Sequence, residues 1–182
     1  MRIGSRLATA VLATGLAVAG FAGPVHAATT GDTTATFTIT GGALNITVPA
    51  SIVALGSVAT GAATASGQLG SVAVADTRGA LVNTWNTTVG STTFVTGTGT
   101  PTADQTVAKA NIAYSSGAST STSGLGAFVP GTLATMTADG IGAGWAGLSG
   151  NNTAAWNPTL TFTLLPSQVA GTYTGTITHS VA

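Results

Sequence analysis

The sequence predicts an all-β protein, an antiparallel β-sandwich of immunoglobulin-like general architecture. Three observations carry this. Short segments in which every second residue is apolar recur along the chain. Clusters of Gly, Ser and Asn separate them, and no stretch keeps a helical period for long. Threonine fills many of the alternate positions, as suits an exposed pleated surface built from β-branched hydroxyl residues.

The elements follow in chain order. Arg2 and Arg6 precede an apolar, charge-free run over residues 7–21, and Pro24 with Val25-His26-Ala27 follows. This reads as a secretory signal over residues 1–27 with cleavage after Ala27, and the run is short for a membrane span. Residues 28–182 then form a single domain, long enough to bury a core. The first strand is expected over 34–40, with Ala35, Phe37 and Ile39 on one face. Gly41-Gly42 suits a hairpin turn into a second strand over 43–48, with Leu44, Ile46 and Val48 inward and Pro49 ending it. Strands over 71–76 and 81–89 follow, the second placing Leu81, Asn83, Trp85, Thr87 and Val89 in one register. Further strands are expected over 111–115 and 159–165. The last, over 171–182, aligns Tyr173, Ile177, His179 and Val181. Residues 56–68, 97–106, 115–131 and the glycine-rich 138–156 are expected as loops.

The chemistry is sparse. Without cysteine there is no disulfide, thiol nucleophile or cysteine zinc site. In residues 28–182, Arg78 and Lys109 face Asp32, Asp76, Asp104 and Asp139, which gives no electrostatic footprint for nucleic acid or anionic lipid. A 44% hydrophobic content with so few charges predicts an ordered chain rather than a disordered one. His179 is the sole histidine of residues 28–182, and its register with Tyr173 and Ile177 predicts a packed core side chain rather than a catalytic base. The aspartates are scattered, so paired-acid chemistry and a spaced calcium loop lack support. No catalytic residue, cofactor or metal is expected, and the chain is not expected to be an enzyme. Gly140 to Gly144 reads as a turn-rich loop rather than a phosphate cradle. Asp76, Arg78 and Gly79 read as a structural turn that fixes a hairpin through an Asp76 bond. Trp85 is expected in the core. Trp145 and Trp156, placed in or beside the glycine-rich loop, are the candidates for stacking on sugar rings.

Several of these segments, taken together, resemble the WxL-domain family, cell-surface proteins of Gram-positive bacteria. The resemblance spans most of residues 34–182. Leu44-Asn45-Ile46-Thr47-Val48-Pro49 with Leu55-Gly56 is similar to the family's opening segment. Val72-Ala73-Val74-Ala75-Asp76-Thr77-Arg78-Gly79 followed by Trp85 is similar to its V-x-V-x-D-x-R-G…W stretch. Residues 171–178 are similar to its last strand. Both name-giving Trp-x-Leu motifs are altered, to Trp85-Asn86-Thr87 and His179-Ser180-Val181. The resemblance implies a secreted β-sandwich that associates non-covalently with the cell wall, with peptidoglycan or a neighbouring surface protein as partner and Trp145 and Trp156 as candidate wall contacts. The alternative expectation is a structural or adhesive subunit that assembles through edge-strand pairing.

Overall fold

A computed structural model of the chain describes residues 33–50 and 54–182. The expected signal, residues 1–27, lies outside the described residues. The chain divides into two compact units, Met1–Thr38 and Ile39–Ala182, and every described strand belongs to the second. In the first, residues 33–38 are exposed and form no strand. The expected strand over 34–40 is therefore absent: Phe37 and Ile39 are 87% and 84% exposed. Gly41 and Gly42 make no hairpin. Gly42 donates to Thr77 O at 2.7 Å. A Cβ at Gly42 would stand 2.2 Å from Thr77 Oγ1, so glycine is needed here for close approach rather than for turning.

The strands are β1 (Leu44–Thr47), β2 (Thr64–Gln68), β3 (Val72–Asp76), β4 (Trp85–Ser91), β5 (Phe94–Val95), β6 (Thr106–Val107), β7 (Ile112–Ser115), β8 (Ser119–Ser123), β9 (Gly126–Pro130), β10 (Thr132–Leu133), β11 (Gly140–Gly147), β12 (Asn152–Trp156), β13 (Thr159–Thr163) and β14 (Ile177–Val181). They form an all-β antiparallel sandwich. The first sheet runs β1-β3-β12-β8, the second β10-β7-β13-β2 and the third β14-β4-β11-β9, with β5-β6 as a small pair. Val72, Val74, Ala154 and Trp156 of the first sheet pack on Trp85, Ala143 and Trp145 of the third. Val89 of the third sheet packs with Tyr114, Leu160 and Phe162 of the second and Phe94 and Val107 of the small pair. One sheet thus backs both of the others.

Alternation explains β3, β4, β7 and β13, whose inward residues are buried as expected. The expected loops over 115–131 and 138–156 are corrected: they hold β8, β9, β11 and β12. β8 reads Ser-Thr-Ser-Thr-Ser and hides no apolar face, so it lacks the pattern that marks a strand. In β11 the glycines mark contact. A Cβ at Gly147 would stand 1.9 Å from Asn83 O, and one at Gly144 2.6 Å from Asn86 Oδ1. The strand is glycine-rich because its neighbours press on it. The 56–68 loop ends in β2, and the final strand is shorter than expected, since within residues 172–176 ladder pairing is reduced to the isolated Val95–Thr174 bridge.

Three tryptophans occupy the centre. Trp85 stacks between Trp145 and Trp156, with ring centroids 6.5 and 6.3 Å away and planes 14° and 21° apart. All three are buried, and Phe128 closes over Trp156 at 5.5 Å. Trp85 Nε1 donates to Asn152 Oδ1 at 2.8 Å, so the central indole of the stack has its polar atom satisfied. Trp85→Ala should cost about 3–5 kcal/mol by the usual loss for a large buried aromatic. Chemical denaturation measures it, and a variant as stable as the wild type would contradict a central role for the stack.

Candidate functional site

The corner after β3 gathers several polar bonds on one ion pair. Asp76 is fully buried at the end of the strand. Its Oδ1 accepts from the Arg78 backbone N–H and from Arg78 Nε, each at 3.0 Å, and its Oδ2 accepts from Nη2 at 2.7 Å. The same Nη2 donates to Thr84 O at 3.1 Å. Bonds from the Arg78 side chain hold the Asp76 carboxyl below its ordinary value, against the opposing effect of burial. Gly79 takes φ +65°, the left-handed conformation that lets the chain reverse. The expected hairpin is corrected: β3 and β4 lie in different sheets, so the turn carries the chain from one sheet to another.

The six positions compared with Trp-x-Leu motifs in the sequence lie far apart along the chain but side by side in the fold. Trp85-Asn86-Thr87 opens β4 and His179-Ser180-Val181 closes β14, with Val181 opposite Thr87. Asn86 and Ala182 exchange both backbone bonds, at 2.9 and 3.0 Å. Thr87 is fully buried and its Oγ1 donates to Ala143 O at 3.0 Å, so the hydroxyl spends its hydrogen on a neighbouring strand.

His179 is half-buried and lies 3.3 Å through Nε2 from Tyr114 Oη. Trp156 Nε1 can only donate, and it donates to the same oxygen at 3.1 Å. The Tyr114 hydrogen is then directed to His179 Nε2, which places the ring proton on Nδ1 and leaves the imidazole neutral. Burial pushes the His179 pKa down to about 4 and raises that of Tyr114. The arrangement suits a structural link between strands. Among the described residues, no group of three or more His, Asp or Glu side chains is placed to hold a metal ion.

Trp145 and Trp156 are not loop residues. They sit in β11 and β12, 3% and 0% exposed, and offer no ring face to a ligand. The glycines around them pack the strands together instead of opening a loop. Trp145 Nε1 has no acceptor among the described residues.

A group of exposed apolar side chains lies elsewhere, on three loops that meet at one end of the sandwich. Leu81 and Val82 follow the Asp76–Arg78 corner and are 88% and 73% exposed. Leu125 joins β8 to β9 and Leu148 joins β11 to β12, 63% and 69% exposed. Backbone bonds lace these loops together: Leu148 N to Leu125 O at 3.1 Å and Gly150 N to Ala80 O at 2.9 Å. The buried Asn83 side chain donates to Gly150 O. The tip is a braced surface of four large aliphatic side chains. Leu81 was expected inward; the register breaks at the corner, so only Asn83, Trp85, Thr87 and Val89 turn in. Sequence reading missed the tip because Leu81 fits the alternation of the strand that follows it, while Leu125 and Leu148 are single leucines in Gly/Ser-rich stretches and carry no periodic signal.

No family model matches this chain, and no curated protein or solved structure matches it.

Two pH effects follow from the polar sites. His179 is neutral in the fold but binds a proton in the unfolded chain near 6.5, so its contribution to stability is complete above that pH and falls as pH drops toward about 4. Thermal melts across this window should show the decline, and His179→Gln should flatten it. The depressed Asp76 pKa adds a loss at still lower pH, as the carboxylate is protonated below its unfolded value of 3.8. Asp76→Asn should cost about 1–2 kcal/mol at neutral pH, since solvent at the 39% exposed Arg78 side chain screens the pair. An unchanged melting temperature would remove the corner from the stabilising contacts.

Proposed function

We propose that this protein is a secreted, non-enzymatic, WxL-like surface domain of a Gram-positive cell, held at the wall by apolar contact with a neighbouring surface protein. The observation that carries the reading is the braced tip of Leu81, Val82, Leu125 and Leu148. Loop tips of a solvated domain are ordinarily polar, and four exposed aliphatic side chains on interlocked turns cost free energy until they are covered. What supports the family part of the reading is the order of its three similar segments, above all Val72 to Gly79 followed by Trp85.

The chemistry of the tip favours protein over polysaccharide as the partner. Sugar rings are gripped by exposed aromatic faces, and the three indoles here are buried. Aliphatic side chains with few charges nearby suit the apolar centre of a protein interface. Peptidoglycan is the other partner that the resemblance implies, and the experiment separates the two.

Sedimentation with isolated walls, before and after protease treatment of those walls, tests the reading. Retention should be lost on the stripped walls and should change little with salt, because apolar contact is not screened as the Debye length falls to about 3 Å at 1 M. Leu81→Ser and Leu148→Ser should each weaken retention several-fold while leaving the melting temperature unchanged. Retention on protease-stripped walls would favour peptidoglycan, and indifference to both variants would remove the tip from binding.

A further inference from the structure

We infer that the chain self-assembles by strand exchange: residues 34–40 of one copy add beside residues 172–176 of a second copy and seat Phe37 and Ile39 in its open apolar pocket. This does not rest on the tip or on its partner. It joins three observations, one on the donor segment and two on the acceptor.

The donor is a β-forming sequence without a sheet. Thr34-Ala35-Thr36-Phe37-Thr38-Ile39-Thr40 alternates strictly, holds no charge, Gly or Pro, and leaves its two large apolar side chains exposed. Such segments are the ones that pair with another chain's edge.

The acceptor offers a backbone edge. β14 lies at the edge of the third sheet, and residues 172–176 extend it. Thr174 exchanges both backbone bonds with Val95, at 2.9 and 3.0 Å, and Thr176 O accepts from Thr92 N at 2.9 Å. Along a strand, successive residues direct their backbone groups to opposite sides. Tyr173 and Gly175 therefore direct theirs away from β5, and among the described residues those N–H and C=O groups have no backbone partner. The segment is held in place, with the Tyr173 hydroxyl 2.9 Å from Val169 O and 3.0 Å from Asp104 O.

Beside this edge the acceptor also offers a pocket of about 790 Å³. Phe94, Val107, Phe162, Leu164 and Ile177 line it, Ala65 of β2 and Tyr173 are among its walls, and His179 also borders it. An incoming strand would pair with the edge through its backbone while alternate side chains fill the pocket, the general mode of strand addition.

Exposure makes the occupant a second copy: in the single copy Phe37 and Ile39 are 87% and 84% exposed, so the pocket is left for the same segment of another chain.

Size-exclusion chromatography with light scattering, across a concentration series, tests the exchange. The wild-type chain should give dimers and larger species. The double variant Phe37→Asp with Ile39→Asp should lose them and melt at the same temperature, since both side chains are exposed in the single copy. A synthetic peptide of residues 33–41 should bind that monomeric variant and shift the Tyr173 and Gly175 amide resonances. A double variant that assembles like the wild type would overturn strand exchange, as would a peptide that leaves those two amides unmoved. So would a wild-type chain that stays monomeric across the concentration series.

Discussion

A single run of contacts from Asn152 to His179 ties the three large sheets together. Trp85, in the third sheet, donates to Asn152 in the first. Its ring stacks on Trp156, also in the first. Trp156 donates to Tyr114 in the second sheet, and Tyr114 in turn meets His179 back in the third. A cysteine-free sandwich has no covalent tie between its sheets, so apolar contact and directed bonds must hold them in register. The buried donors in this run meet acceptors on other sheets, which fixes one relative placement instead of several similar ones. His179 belongs to the run as an acceptor, and its depressed pKa is the consequence of lying inside it.

Close approach of backbones is the second condition of the fold. Gly144 and Gly147 of β11 lie against Asn86 and Asn83, and Gly42 lies against Thr77. Side chains at these places would force the strands apart and open the tryptophan stack. The same economy shapes the surface. With aromatic and aliphatic side chains filling the core and hydroxyls lining much of the outside, the most exposed large apolar side chains stand out. One is the tip at the Asp76–Arg78 corner. Another is the segment before β1, whose Phe37 and Ile39 have no core of their own.

These two exposed features serve different kinds of contact. The tip is built on turns laced by backbone bonds and by the buried Asn83, so it presents a fixed shape to a partner. The segment 34–40 has no sheet until another edge supplies one. The two contacts are independent, and the low charge lets copies approach without strong repulsion. That combination joins the proposed surface role to the proposed assembly without requiring either to produce the other.

Much of the fold was legible in the sequence, for a plain reason. Alternation with a period of two marks a strand that has one wet and one dry face, and β1, β3, β4, β7 and β13 are such strands. The turn residues Asp76 and Arg78 were legible because a carboxylate two residues from an arginine bonds locally whatever surrounds it. Tertiary structure alone decided the rest. Ser119 to Ser123 became a strand only because β12 supplied the ladder. Trp145 and Trp156 are buried because β4 and β3, distant in sequence, pair with β11 and β12 and carry the core onto them. Residues 34–40 have as clean an alternation as any segment of the chain, yet no strand formed there. A period of two records a capacity to pair; which segments pair depends on partners that only the folded chain, or a second copy, brings alongside.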